Sequence, residues 1–153
     1  MEIRLADLED LAQIEAVVHA AYVRYVPLIG REPGPMLDDY AALIARRQVH
    51  VLCDNGQVQG VLVLLPEDHT MLLDNVAVRP EAQGRGYGRQ LIAFAEKVTR
   101  ESGLRRLRLY TNEAMTENVA LYERLGFIET HRGEEKGFKR VYMTKLLDGS
   151  PGT

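Results

Sequence analysis

Three glycines at alternate positions, Gly84, Gly86 and Gly88, lie in the run Gln83-Gly84-Arg85-Gly86-Tyr87-Gly88, with Arg89 next in line. Glycine enters left-handed backbone conformations without strain and lets another group approach the main chain closely. A glycine-rich turn that leads into a helix aims several N–H groups at one point, and the helix start adds partial positive charge there. The chemistry this pattern suits is the gripping of a phosphate. It is not a Walker A loop, because Gly88 is followed by Arg89 and Gln90 rather than by Lys and Ser or Thr. Nor is it the dinucleotide fingerprint G-x-G-x-x-G, which requires glycine where Arg89 or Leu91 stands. A left-handed turn that caps a strand and holds no ligand is the alternative these residues leave open.

Other reactive side chains are few. His19, His50, His69 and His131 are widely spaced, with no pair at metal-ligand spacing, and Cys53 is the single cysteine. No metal site and no intramolecular disulfide is expected, and Cys53 reads as a small core residue. Asp74 and Asn75 interrupt the apolar run from Met71 to Val78, and Glu113 follows the apolar alternation that ends near Thr111. The chain has 19 basic and 22 acidic residues and a formal charge of −3, which disfavours a broad nucleic-acid surface. No stretch approaches the roughly 20 apolar residues of a membrane span. Asp7, Glu9 and Asp10 come early, unlike the basic-then-apolar layout of a signal peptide. The expectation is a cytoplasmic protein with no membrane or nucleic-acid partner.

The elements that must position these residues can be read from periodicity. Glu2 to Leu5 alternates as a strand, and Asp7 is a plausible N-cap with Asp10 completing an imperfect capping box. Leu8, Leu11, Ile14 and Val18 follow helical spacing. Tyr22 to Met36 holds Pro27, Gly30, Pro33, Gly34 and Pro35 and reads as a long loop, followed by a short helix from Leu37 to Arg47. Val49 to Cys53 and Val58 to Leu65 are strands joined by the hairpin signal Asp54-Asn55-Gly56. The strand Met71 to Val78 enters the glycine loop, and an amphipathic helix runs from Tyr87 to Glu101. A strand from Arg105 to Thr111, a helix ending at Leu125, and strands Phe127 to His131 and Phe138 to Lys145 complete the chain. The order predicts one α/β domain over 1–147, a mixed sheet with helices on both faces, and a frayed tail at 148–153.

Two motifs in this order resemble the GNAT (general N-acetyltransferase) superfamily. Gln83-Gly84-Arg85-Gly86-Tyr87-Gly88, led in by Val78-Arg79-Pro80, fits its pyrophosphate pattern Gln/Arg-x-x-Gly-x-Gly/Ala. Asn118, Ala120, Leu121, Tyr122, Gly126 and Phe127 resemble a second segment, in which an asparagine and an alanine precede Leu-Tyr-x-x-x-Gly-Phe. The resemblance implies a mixed, mostly antiparallel sheet of about seven strands with helices on both faces. It implies acetyl-CoA as co-substrate, no metal, and transfer of the acetyl group to a primary amine of a small molecule, amino acid or peptide. Gln83, Gly84, Arg85, Gly86, Tyr87 and Gly88 would wrap the pyrophosphate. The backbone of Val76 and Val78 would bond the pantetheine arm, which would enter where the Met71–Val78 strand fails to pair fully with the next. Arg85 and Arg89 are either phosphate contacts or solvated helix-start residues, with solvation the better reading for Arg89.

Asn118 and Tyr122 are four apart and share a helix face. An amide suits the amide-bearing pantetheine, and a phenol is protonated at neutral pH and so can donate to a leaving thiolate. Tyr122 as a packed aromatic and Asn118 as an N-cap are the structural alternatives. The implied reaction is direct attack of a neutral amine on the thioester, with the reactants held together and a backbone N–H near Val76 on the carbonyl. Something must take a proton from the amine. Asp74 and Glu113 are candidates, with a surface or ion-paired role the alternative for each. Tyr22, Tyr25, Asp74 and Asn75, together with Met36, are candidates for the acceptor site; the tyrosines are equally suited to core packing or to contacts in a homodimer. Acetylation of a protein N-terminus or lysine, and a non-catalytic acyl-CoA sensor, are the competing functions.

Overall fold

The structure is a computed structural model, and it describes residues 1–147. The expected frayed tail at 148–153 lies outside the described residues. The strands form one seven-stranded mixed sheet, accompanied by helices, in the order β1-β2-β3-β4-β5-β7-β6. They are β1 (Glu2–Leu5), β2 (Val49–Asp54), β3 (Gln57–Pro66), β4 (Met71–Val78), β5 (Arg106–Asn112), β6 (Ile128–Glu135) and β7 (Phe138–Leu146). β4 and β5 run parallel, while β1–β2, β2–β3, β5–β7 and β6–β7 are antiparallel. Two compact units share β3, β4 and one helix. One comprises residues 1–64 and 75–95, and the other, among the described residues, 65–74 and 96–147.

In the first unit, the turn before α1 (Leu11–Tyr22) is a complete capping box. Asp7 accepts from the Glu9 N–H, and Asp10 accepts from the Asp7 N–H at 2.9 Å. Aspartate serves where glutamate is usual because Arg4 also grips it, at 2.8 and 3.0 Å, and that bond holds the Asp10 carboxyl below its ordinary range. The span expected to be a loop is largely helical. A 3₁₀ turn at Val23–Tyr25 leads into α2 (Val26–Ile29), and a second 3₁₀ turn occupies Gly34–Leu37. Pro27 and Pro35 fall in first turns, where a missing N–H costs nothing, so residues that read as breakers act as starters. α3 (Tyr40–Ala45) is shorter than expected because Asp39 caps it, accepting from the Ala42 N–H at 3.1 Å. Ile14, Val17, Val51, Leu62, Leu91 and Ala95 are among the fully buried residues of this unit.

In the second unit, β4 is in register with β5 from Met71↔Leu107 to Leu73↔Leu109, and β5 pairs with β7 along its whole length. α4 (Tyr87–Glu101), shared by both units, and α5 (Thr116–Arg124) flank β5 in sequence. β6 extends to Glu135, beyond the expected His131, although all eight of its residues are exposed. Its own pattern carries no burial signal; the antiparallel register with β7 makes it a strand. Leu107, Leu109, Val141 and Met143 form the inward row of this unit.

Candidate functional site

The glycine bend is built on pinned ends. The Arg79 N–H donates to the Gln59 carbonyl at 2.9 Å, and its Nε donates to the Val58 carbonyl at 2.8 Å. A 3₁₀ turn, Pro80–Ala82, tucks Ala82 inward, and Gln83 then runs extended. Gly84 and Gly86 take φ of +86° and +80°, which an L side chain rarely adopts. A Cβ built at Gly84, Gly86 or Gly88 meets nothing within 4 Å, so no neighbouring group crowds the bend at its glycines. Gly88 has no left-handed φ and is helical, consistent with the alanine its pattern permits. The Gln90 N–H bonds to the Gly86 carbonyl at 3.0 Å, so the amides of Tyr87, Gly88 and Arg89 belong to the donors that every helix start leaves over. Gln83 through Gly86 are exposed, whereas Tyr87 is buried and its hydroxyl donates to Asp54 at the end of β2. Tyr87 thus anchors the bend to the β2–β3 hairpin with its side chain. The same bond holds Asp54 below its ordinary range.

Asn75 sits in a hydrogen-bonded chain inside the first unit. The Tyr22 hydroxyl donates to Asn75 Oδ1 at 2.6 Å and lies 3.1 Å from the Val76 carbonyl, Asn75 Nδ2 donates to the Tyr40 hydroxyl at 2.9 Å, and the Tyr40 hydroxyl donates to the Pro35 carbonyl at 2.5 Å. Tyr22, Tyr40 and Asn75 are all buried. Tyr25 is buried too, and Arg24 covers its ring at 4.8 Å. Tyr40 was not legible as part of this group, since 35 residues separate it from Asn75. The one signal was a polar pair, Asp74-Asn75, inside an otherwise apolar strand. Alternation sends Asp74, Val76 and Val78 to the face opposite Asn75 and Ala77, and those three are half-buried.

In the second unit, Asp74 Oδ1 accepts from the Tyr110 hydroxyl at 3.2 Å. Burial pushes the Asp74 carboxyl above its ordinary range, against the pull of the Tyr110 hydrogen bond and the Arg140 charge. Glu113 is a poorer proton acceptor on geometry: its side chain is 41% exposed and 4.0 Å from Arg132. Asn118 is the third residue of α5 and so is not its N-cap, which is Met115; Asn118 Nδ2 donates to Met115 Sδ at 3.6 Å.

Tyr122 is fixed by the way α5 ends. Gly126, at φ +97°, lets its own N–H reach the Glu123 carbonyl at 3.1 Å, and the Phe127 N–H reaches the Tyr122 carbonyl at 3.0 Å. That pair of bonds is a Schellman cap, and its accompanying apolar contact is the edge-to-face packing of Phe127 on Tyr122 at 5.8 Å. The Tyr-x-x-x-Gly-Phe spacing is therefore the signature of a helix stop that holds the tyrosine ring in one place. Among the described residues, no cluster of His, Cys, Asp and Glu is placed to hold a metal ion, and no helix is long and apolar enough to cross a membrane.

The profile of the Acetyltransferase (GNAT) family matches residues 14–127, and the chain belongs to that family. A mycothiol acetyltransferase from Cellulomonas flavigena is 46% identical over 114 residues, covering 67% of this chain and 31% of that protein. The chain spans 16% to 31% of the length of the mycothiol acetyltransferases it matches. Among solved structures, the PaiA N-acetyltransferase of Thermoplasma acidophilum in complex with coenzyme A aligns with a TM-score of 0.78 at 19% identity, over 95% of this chain and 98% of that one. The ribosomal-protein-S18-alanine N-acetyltransferase of Escherichia coli aligns with a TM-score of 0.78 at 20% identity, over 99% of this chain and 96% of that one. Both have the fold described above.

Proposed function

We propose that this chain is an acetyl-CoA-dependent N-acetyltransferase that moves an acetyl group directly to a primary amine of a small molecule, amino acid or peptide. The observation that carries the reading is the bend from Gln83 to Gly88, exposed from Gln83 to Gly86, with two left-handed glycines and no neighbouring atom within 4 Å of a Cβ at any of its three glycines. A coenzyme diphosphate fits that cradle because its oxygens accept from main-chain N–H groups and from the start of α4. Arg85 adds charge there. Val76 and Val78 serve the pantetheine arm through their main chain. The Val76 N–H is the donor set against the thioester carbonyl. Asn118 offers an amide to the same arm.

An amine acceptor arrives mostly as ammonium. Asp74 takes one proton from it, a task suited to a carboxyl made more basic by burial. The neutral nitrogen forms the new C–N bond, the C–S bond breaks, and Tyr122 gives its proton to the departing sulfur. Tyr122 recovers a proton from the nitrogen, and Asp74 returns its own to solvent, so one proton is released per turnover.

The test is thiol release from acetyl-CoA with a panel of acceptors. The panel carries small amines, amino acids, and peptides with free N-termini or lysine, because the similar proteins include a mycothiol acetyltransferase and a ribosomal-protein-alanine N-acetyltransferase. Release with one acceptor class is expected. Coenzyme binding without release across the whole panel overturns the reading in favour of an acyl-CoA sensor. Tyr122→Phe should lower turnover more than coenzyme affinity, and an unchanged turnover number removes Tyr122 from the reaction.

A further inference from the structure

Asp74 does not stand alone in the second unit. Tyr110 of β5 donates its hydroxyl to Asp74 Oδ1 at 3.2 Å. The guanidinium of Arg140 lies over the Tyr110 ring, 4.1 Å from its centre. The sheet dictates that placement: Asn112 pairs with Arg140 and Tyr110 with Tyr142, so Arg140 is the diagonal neighbour of Tyr110 on the same face. Arg140 is held in turn by Glu135, which accepts from its Nη1 at 2.6 Å and from the Tyr142 hydroxyl at 2.9 Å. Among the described residues, the groups that bear on the charge of Asp74 are Tyr110 from β5 and Arg140 from β7. Neither belongs to either of the two motifs that carry the family resemblance.

We propose that Tyr110 and Arg140 are positioning residues for Asp74, the phenol by holding one carboxylate oxygen and the guanidinium, braced by Glu135, by setting a fixed positive charge over the ring of that phenol. The proposal rests on Asp74 being the proton acceptor. A carboxylate at this depth is driven towards its neutral form, which accepts no proton. A donated hydrogen bond and a nearby cation both favour the ionised form. The pair therefore favours the charged form of a half-buried base while its partial burial keeps it basic.

The experiment is a pH titration of the Asp74 carboxyl carbon by NMR in the whole protein, beside the pH profile of thiol release with the best acceptor of the panel. Tyr110→Phe keeps the ring on which Arg140 lies and removes only the hydroxyl. Arg140→Gln removes the charge, and Arg140→Lys restores it. In Tyr110→Phe and Arg140→Gln, the Asp74 midpoint and the acid limb of the rate profile should both move to higher pH, and Arg140→Lys should bring them back. A merely structural role would lower the urea midpoint of these variants and leave the titration where it was; that result overturns the inference. Failure of the underlying reading looks different. If Asp74→Asn releases thiol at the wild-type rate, Asp74 is not the base, whatever the titrations show.

Discussion

The three glycines of the bend are not equivalent, and substituting them one at a time should show it. Gly86 has φ of +80° and an unobstructed Cβ position, so alanine there meets no clash and suffers only left-handed strain. That strain is about 1–2 kcal/mol. In a chain of this size it lowers the Tm by about 2–8 °C, at about 2–4 °C per kcal/mol. Gly84, at φ +86°, should behave alike. Gly88 is different, because its backbone is helical and a Cβ there also meets nothing. Gly88→Ala should leave the Tm unchanged or raise it by up to about 4 °C, the gain from replacing glycine in a helix being at most about 1 kcal/mol. Coenzyme affinity should follow the same division. Gly86→Val forces the backbone out of its left-handed state and turns an amide away from the diphosphate. Losing one hydrogen bond to a charged group costs about 1.5–3 kcal/mol, which is about 10- to 150-fold in Kd. Calorimetry with coenzyme A, beside thermal melts of the four variants, reads both quantities. Equal affinities for Gly86→Val and Gly88→Ala would falsify the cradle, and a Gly86→Ala melt at or above wild type would refute the strain argument.

Two further outcomes follow from buried groups. Tyr22→Phe deprives the buried Asn75 Oδ1 of its 2.6 Å donor and should cost about 1–3 kcal/mol in urea unfolding; a loss below a few tenths would mean that the amide finds another partner. His50 is held with its Nδ1 unpartnered and its ring 5.0 Å from Phe94, and burial keeps its pKa below the ordinary value. The unfolded chain therefore binds a proton near pH 6.5 that the native chain refuses, so stability contributed by neutral His50 is lost as pH falls below about 6.5. The urea midpoint should drop less between pH 7 and pH 5 in His50→Phe than in wild type, and parallel curves would exclude His50 as the cause.

Much of this molecule was legible in one dimension. The strand from Met71 to Val78, the helix from Tyr87 to Glu101 and the Asp54-Asn55-Gly56 hairpin fell where period and turn chemistry put them. These features are local: a glycine in left-handed φ, a capping aspartate and an apolar face each act within a few residues. The same locality made the two motifs visible. The bend from Gln83 to Gly88 is a run of main-chain conformations, and Tyr122, Gly126 and Phe127 form a single helix stop. The sequence did not reveal that Pro27 and Pro35 start helical turns rather than break them, or that the strand expected to end at His131 continues, wholly exposed, to Glu135, because packing and pairing decide both. Nor did it show what surrounds Asp74 and Asn75. Asn75 meets Tyr22 and Tyr40, Asp74 meets Tyr110, and Arg140 arrives by a cross-strand diagonal. Those partners all stand 35 or more residues away, and the place of Arg140 depends besides on the register of β7 against β5. A phosphate grip can be written in consecutive amides, but the charge of a half-buried carboxylate is set by whatever the folded chain brings against it.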